Sequence, residues 1–169
     1  MILLGYLTFF DAPKKSAKEA IKKLRDLEVR TKILTGDRKD VALSVCQRVG
    51  VNCSRILTGQ EIENLEESQL QTAVEYGEVF AELTPNQKVE IIQVLRENGH
   101  TVGFLGDGLN DVPAICEADV GISVDTAVDA AKDAADVVLL DKDLNVLEEG
   151  ILEGRKTFIN MSKYIRITA

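Results

Sequence analysis

Residues 101–115, Thr-Val-Gly-Phe-Leu-Gly-Asp-Gly-Leu-Asn-Asp-Val-Pro-Ala-Ile, constrain this chain more than any other stretch. The apolar run 101–105 predicts a short buried strand. It ends in Gly106-Asp107-Gly108, with Asn110-Asp111 and Pro113 just beyond. Glycines on both sides of Asp107 permit a tight turn and close approach of the backbone to a ligand. Asn110 or Asp111 can cap a following helix, and Pro113 suits its first turn. Two carboxylates and an amide are therefore expected at the C-terminal end of a strand, beside a helix N-terminus. In open α/β sheets that edge is where ligands bind. Carboxylates there suit Mg²⁺, which takes one or two of them together with phosphate oxygens. An isolated Gly-Asp-Gly would fit an ordinary acidic corner; the full run is more specific.

The rest of the chain alternates strands and helices. Residues 2–10 are apolar with few interruptions and predict a buried strand delivering Asp11-Ala12-Pro13-Lys14. Ser16 and Glu19 have capping-box spacing, and Ala17, Ala20, Ile21, Leu24 and Leu27 keep helical spacing behind them. Residues 29–34 predict a strand ending in Thr35-Gly36-Asp37. Val41, Ala42, Val45 and Val49 mark a helix that stops at Gly50. Residues 52–77 carry little pattern, with a short helix over 68–76, and are expected to be peripheral and without chemistry. Residues 79–83 predict another strand. Thr84-Pro85-Asn86-Gln87 then combines a capping box with proline at the first helical position. Val89, Ile91, Ile92 and Leu95 form that helix's buried face, and Gly99 ends it. Lys88 falls in its first turn, at the same sheet edge as Asp37 and Asp107. Strands are expected over 119–124 and 137–140, with a short helix over 127–134 between them. From Leu144 the spacing of Leu147, Ile151, Gly154, Phe158, Met161 and Ile165 predicts one amphipathic helix to the chain end. Its first half is expected to pack on the sheet. Its second half is too long for that and carries Lys163 and Arg166, beyond Arg155 and Lys156, as on the cytoplasmic side of a membrane. The fold class is thus α/β, a doubly wound, mostly parallel sheet with a long C-terminal helix.

Composition excludes several classes. A net charge of −8 argues against nucleic acid as a partner. No apolar run reaches the ~18 residues of a membrane span, and the Met1-Ile2-Leu3-Leu4 start lacks the features of a signal peptide. Cys46, Cys53 and Cys116 show no metal-ligand spacing and read as reduced cytosolic thiols. His100, the one histidine, follows Gly99 and reads as a surface-loop residue.

Thr35, Asp37, Lys88, Asp107, Asn110 and Asp111 converge from three strand ends, and phosphoryl transfer has a use for each type. A hydroxyl and backbone N–H groups hold phosphate oxygens, a lysine offsets their charge, a carboxylate holds Mg²⁺, and an amide orients the group. Covalent transfer also needs a nucleophile. Asp11 is rejected because Pro13 offers no N–H to a phosphate. Asp141 is rejected because Asp143 follows where a small polar or glycine turn would be needed.

These motifs resemble the P-type ion-transporting ATPases of the haloacid dehalogenase-like superfamily. Thr35-Gly36-Asp37 is similar to the TGD motif, Thr84-Pro85-x-Gln87-Lys88 to the segment with the phosphate-binding lysine, and residues 106–114 to the hinge motif GDGxNDxPA. Asp11-Ala12-Pro13-Lys14 resembles the DPPR element but departs at Ala12 and Lys14. Asp119-Val-Gly-Ile-Ser-Val-Asp125 and Val146-Leu-Glu-Glu-Gly150 look most like the bacterial magnesium-transporting branch.

The resemblance implies a Rossmann-like, haloacid dehalogenase-like fold in a parent that forms an aspartyl-phosphate from ATP, with Mg²⁺ as cofactor. Thr35, Gly36, Lys88 and Asn110 would bind phosphate, and Thr35, Lys88, Asn110 and Asp111 would be catalytic. Asp107 and Asp111 would serve the metal, Asp11 and Asp37 the nucleotide hinge. The family's DKTGT strand, nucleotide-binding domain and membrane helices are not in this chain. It is therefore expected to be a fragment: residues 1–143 a partial phosphorylation domain, and 144–169 a stalk helix toward a membrane segment. The parent would lie in the plasma membrane with this domain cytoplasmic, the fragment being soluble and unable to phosphorylate itself. A strand would be missing between those ending at Thr35 and Gly106, so the fragment is expected to close the gap, self-associate through strand edges, or be marginally stable. A soluble phosphatase of the same superfamily and a receiver-like Mg²⁺-binding module remain the alternatives.

Overall fold

The computed structural model describes residues 15–51, 53, 55–141 and 143–168. The expected strand over 2–10 and Asp11 lie outside them. In chain order the elements are α1 (Lys15–Asp26), β1 (Ile33–Leu34), α2 (Lys39–Val49), β2 (Ile56–Thr58), α3 (Gly59–Glu63), α4 (Glu67–Tyr76), β3 (Val79–Ala81) and α5 (Pro85–Glu97). There follow β4 (Gly103–Leu105), a 3₁₀ turn (Leu109–Asp111), α6 (Val112–Glu117), β5 (Val120–Val124), α7 (Asp129–Ala134), β6 (Val137–Leu139) and α8 (Asn145–Thr168).

Every ladder among the described residues is parallel, as the alternation predicts. Among the described residues the strands form two sheets rather than the single one expected, in the orders β1-β3-β2 and β4-β5-β6. Among the described residues no strand lies between β1 and β4, so no ladder joins the two halves. α5 connects them through packing instead. Its Ile91, Val94 and Leu95 enter the core around Phe80, while Ile92 enters the core around Phe104 and Ile115.

The first sheet is covered on both faces. Strand alternation sends Phe80 and Leu57 toward α4 and α5, and Val79, Ala81 and Ile56 toward α1 and α2. On α1 the predicted Ala17, Ala20 and Leu24 are buried. Ser16 lies inside the helix rather than ahead of it, so it is not the expected cap. On α2 Cys46, not Val41, joins Ala42 and Val49 on the buried face, and Gly50 ends the helix at φ 76°. β2 and α3 arise where little pattern was legible; β2 is an edge strand held by β3.

The single histidine is less isolated than its loop suggested. Its Nε2 lies 2.7 Å from Glu75 Oε2, so His100 ties the end of α5 to α4. The long C-terminal helix is present. Its first half docks on α1 through Lys23–Glu148 at 2.9 Å and through Arg155, whose Nη2 donates to the Leu27 carbonyl at 2.8 Å. Its second half exposes Phe158, Ile159, Met161, Tyr164 and Ile165.

Candidate active site

The site begins where β1 ends. Thr35 N–H donates to the Phe80 carbonyl at 2.9 Å and its own carbonyl accepts from Leu83 N–H at 3.0 Å, so β3 fixes its backbone. The hydroxyl donates to Asp37 Oδ2 and accepts from Asp37 N–H, both at 3.0 Å, closing a turn over Gly36.

β3 leads into the second component. Thr84 caps α5 by accepting from Gln87 N–H, while Gln87 Oε1 accepts from Thr84 N–H at 2.9 Å: the capping box read from the sequence. Gln87 is buried and also donates to the Gly59 carbonyl at 3.0 Å and to Glu63 at 2.9 Å, fastening this first turn to α3. Lys88, one residue on, is 8% exposed. Its Nζ donates to Asp111 Oδ1 at 2.7 Å, and the two side chains are 10% and 16% exposed. A buried charge is costly unless paired, so each group holds the other in place.

The third component is the loop after β4. Gly106 is required: a Cβ there would lie 2.6 Å from Asp111 Cβ. The close approach is therefore to the chain's own aspartate. Gly108 has an ordinary φ of −104° and room for a side chain, so only one of the two flanking glycines is sterically demanded. Ser123, wholly buried on β5, donates to the Gly106 carbonyl at 3.0 Å, and Val128 N–H donates to the Asp107 carbonyl at 3.1 Å. Asp111 Oδ2 accepts from Gly108 N–H at 3.3 Å. Asp111 thus braces its own loop and makes no side-chain cap to α6, although Pro113 does occupy that helix's first turn.

The three components border one cleft of about 390 Å³, lined by Thr35, Lys88, Asp107 and Asp111 with Leu34, Phe104 and Gly106 among its walls. Gly36, Asp37 and Asn110 are exposed beside it and do not line it. Of the two carboxylates expected at the metal, Asp111 has both oxygens engaged by donors. The Asp107 carboxylate has no hydrogen bond or ion pair among the described residues, and the residue is exposed and lines the cleft. No group of three His, Cys, Asp or Glu side chains forms a metal cage among the described residues. The donor set fits Mg²⁺ in the form where phosphate oxygens and water complete the shell around one carboxylate. A larger cleft of about 610 Å³ between α4 and β2 holds none of these residues. Ser123, the Glu82 carboxylate, which accepts from Lys39 N–H, and the bonds of Gln87 to Gly59 and Glu63 beyond its capping box were not read from the sequence as site-shaping. Their bonds join residues far apart in the chain; a lone serine within an apolar strand was the one local signal.

Against known proteins, the haloacid dehalogenase-like hydrolase family model matches residues 2–119. A magnesium-transporting P-type ATPase of Salmonella typhimurium is 54% identical over 98% of this chain and 18% of its own length. Its Escherichia coli counterpart is 49% identical over 100% of this chain and 19% of its own length. The chain therefore spans about a fifth of the relatives it matches. A zinc-transporting PIB-type ATPase, crystallised in its E2.Pi state, superposes on 90% of this chain and 21% of its own with a TM-score of 0.72 at 27% identity. With a family model covering more than half of its residues, and a parallel α/β fold whose motif residues meet in one cleft, the chain belongs to the haloacid dehalogenase-like hydrolases.

Proposed function

We propose that this chain is the phosphate-handling part of the phosphorylation domain of a P-type cation pump, with Mg²⁺ as the transported ion. The observation that carries this reading is the buried Lys88–Asp111 pair, held at 2.7 Å in a cleft that Thr35 and Asp107 also line. In the proposed division, residues 1–143 form a partial phosphorylation domain and 144–169 a stalk toward the membrane. The basic residues of α8 support a cytoplasmic face for that stalk. No helix among the described residues is itself long and apolar enough to cross a membrane.

Each residue has a role that its surroundings favour. The Lys88 ammonium offsets negative charge developing on the transferred phosphoryl oxygens, and Asp111 keeps that ammonium aimed into the cleft. The Thr35 hydroxyl and the N–H of Gly36 donate to the same oxygens, and the Asn110 amide orients them from the rim. Asp107 is the carboxylate free to hold Mg²⁺, which when bound would neutralise phosphate charge; Asp111 serves it only indirectly, through the loop it braces. Asp37, and Asp11 ahead of the described residues, would adjoin ATP at the hinge. The nucleophilic aspartate would come from a strand of the parent that this chain lacks. The break in the sheet between β1 and β4 supports this reading, because the C-terminal ends of both strands border the cleft.

The test is calorimetry of Mg²⁺-dependent beryllium fluoride binding, with and without a peptide carrying the DKTGT strand. Binding that needs the peptide is the expected result. Binding without it would favour a self-sufficient soluble phosphatase. The chain alone should take no acid-stable label from γ-labelled ATP.

A further inference from the structure

Two residues other than glycine have positive φ among the described residues: Glu28 at 62° and Glu82 at 57°. Glu28 lies just past α1, where its N–H and that of Val29 return to the Arg25 and Leu24 carbonyls. That is an ordinary left-handed helix end. Glu82 ends no helix; it stands between β3 and the Thr84 cap of α5. A left-handed backbone disfavours any residue with a Cβ. It persists where surrounding contacts over-determine it, and such positions cluster at functional sites.

The contacts around Glu82 converge on one loop. Its N–H donates to the Asp37 carbonyl at 2.9 Å. Its Oε1 accepts from Lys39 N–H at 3.1 Å. Lys39 is the first residue of α2, and the N-cap residue before it, Arg38, gives no side-chain cap. Glu82 therefore caps α2 from another part of the chain, with its negative charge at the positive end of the helix. Its carbonyl is wedged where a Cβ on Gly59 would come within 2.6 Å. The next residue, Leu83, donates to the Thr35 carbonyl at 3.0 Å. Residues 82 and 83 thus grip the Thr35–Gly36–Asp37 turn at both ends, and the Thr35 hydroxyl is already tied to Asp37 within it.

We propose that Glu82 is a positioning residue: its left-handed turn presents an N–H and a carboxylate to the same loop, and so fixes Thr35 and Gly36 for binding phosphoryl oxygens. This rests on the phosphate-binding reading above. It adds a residue whose own side chain does not line the cleft.

The two ingredients separate by substitution. Glu82→Gly keeps the left-handed turn, and relieves its strain, but removes the carboxylate. Glu82→Gln keeps an acceptor for Lys39 N–H. The unaltered chain and both variants would be titrated with beryllium fluoride in the presence of Mg²⁺ and the DKTGT peptide. Hydrogen exchange at the Lys39 amide and the melting temperature would be measured in parallel. Glu82→Gly should melt at or above the parent temperature, lose Lys39 protection, and bind the mimic about fivefold more weakly, the scale of a lost helix cap. Glu82→Gln should restore most of the affinity. A Glu82→Gly chain that binds as tightly as the parent would overturn the proposal and leave Glu82 a merely structural turn. Failure of the unaltered chain to bind is a different result, since it would remove the phosphate-binding reading and this role with it.

Discussion

The two sheets differ in how much of them is covered, and the site lies along their seam. In the first, β3 is buried on both faces, and Val79, Phe80 and Ala81 have no exposed surface. That is the pattern of a parallel strand between two helical layers. In the second, α5, α6 and α7 cover one face, where Phe104, Gly121 and Ser123 are buried. The other face leaves Leu105 37%, Val120 37% and Val137 45% exposed. The doubly covered half supplies Thr35 and Lys88; the singly covered half supplies Asp107 and Asp111. The wall that carries Thr35 and Lys88 thus faces a loop held to it chiefly by α5 and one buried ion pair.

If that contrast is right, removing the core of the first sheet should be the most damaging single change. Phe80→Ala should destabilise by about 3–5 kcal/mol, the usual range for a buried phenylalanine. Phe104→Ala, on a sheet with one open face, should cost less. Denaturant midpoints at constant slope measure both. Equal losses would mean that the second half is as tightly held as the first.

The seam is tested next. Lys88→Met strands the Asp111 carboxylate and should cost about 3 kcal/mol, because an unpaired buried charge is penalised. Adding Asp111→Leu should recover most of that loss in a double-mutant cycle, while phosphate-mimic binding stays abolished. A cycle with no coupling would show that the pair does not hold the halves together.

Legibility from the sequence follows the same division between local and distant interactions. The capping box at Thr84, the stop at Gly50 and the long helix from Asn145 rest on neighbouring residues, and all stand in the structure. The cleft residues Thr35, Lys88, Asp107 and Asp111 were legible because they sit at predictable distances from strand ends. β2 was not: Ile56-Leu57-Thr58 is too short to show alternation, and its strand conformation comes from pairing with β3. The division into two sheets was not legible from strand periodicity, because pairing depends on which strand lies beside which; only the family resemblance pointed to a missing strand between β1 and β4. His100 looked like a loose loop residue because Glu75 is 25 positions away. Ser16 had the spacing of a cap but lies inside its helix.

Gly106→Ala sharpens the comparison on the loop side. The added Cβ would collide with Asp111 Cβ at 2.6 Å, and overpacking of this kind typically costs about 1–3 kcal/mol. Mimic binding should fall with it, whereas Gly108→Ala, with open space, should leave both nearly unchanged. Matching losses from the two substitutions would mean that the loop needs glycine for another reason.

A smaller effect is expected at the end of the first half remote from the cleft. The His100 ring, with Arg30 and Asn98 behind it, lowers the Glu75 carboxyl from 4.5 to about 2. A carboxyl depressed in the folded chain stabilises it above its unfolded value, and that contribution is lost as pH falls from about 4.5 toward 2. The side chain is partly open to solvent, so the effect is modest. Glu75→Gln should flatten this part of the stability curve between pH 5 and pH 3, read against the unaltered chain. An identical slope in both would mean that the cluster adds nothing.

The smallest change is expected on the open face of the second sheet, where it discriminates most directly between the halves. Val137→Thr replaces a methyl with a hydroxyl at a position already 45% exposed. Surface substitutions of this kind stay within about 0.5 kcal/mol. The same exchange at Val79, which is wholly buried, strands a hydroxyl away from water and should cost about 1–3 kcal/mol. Thermal unfolding of the two variants reads the difference. A cost at Val137 approaching that at Val79 would mean that this face is covered in solution, by another part of the chain or by a second copy, and that the half carrying Asp107 is as enclosed as the half carrying Lys88.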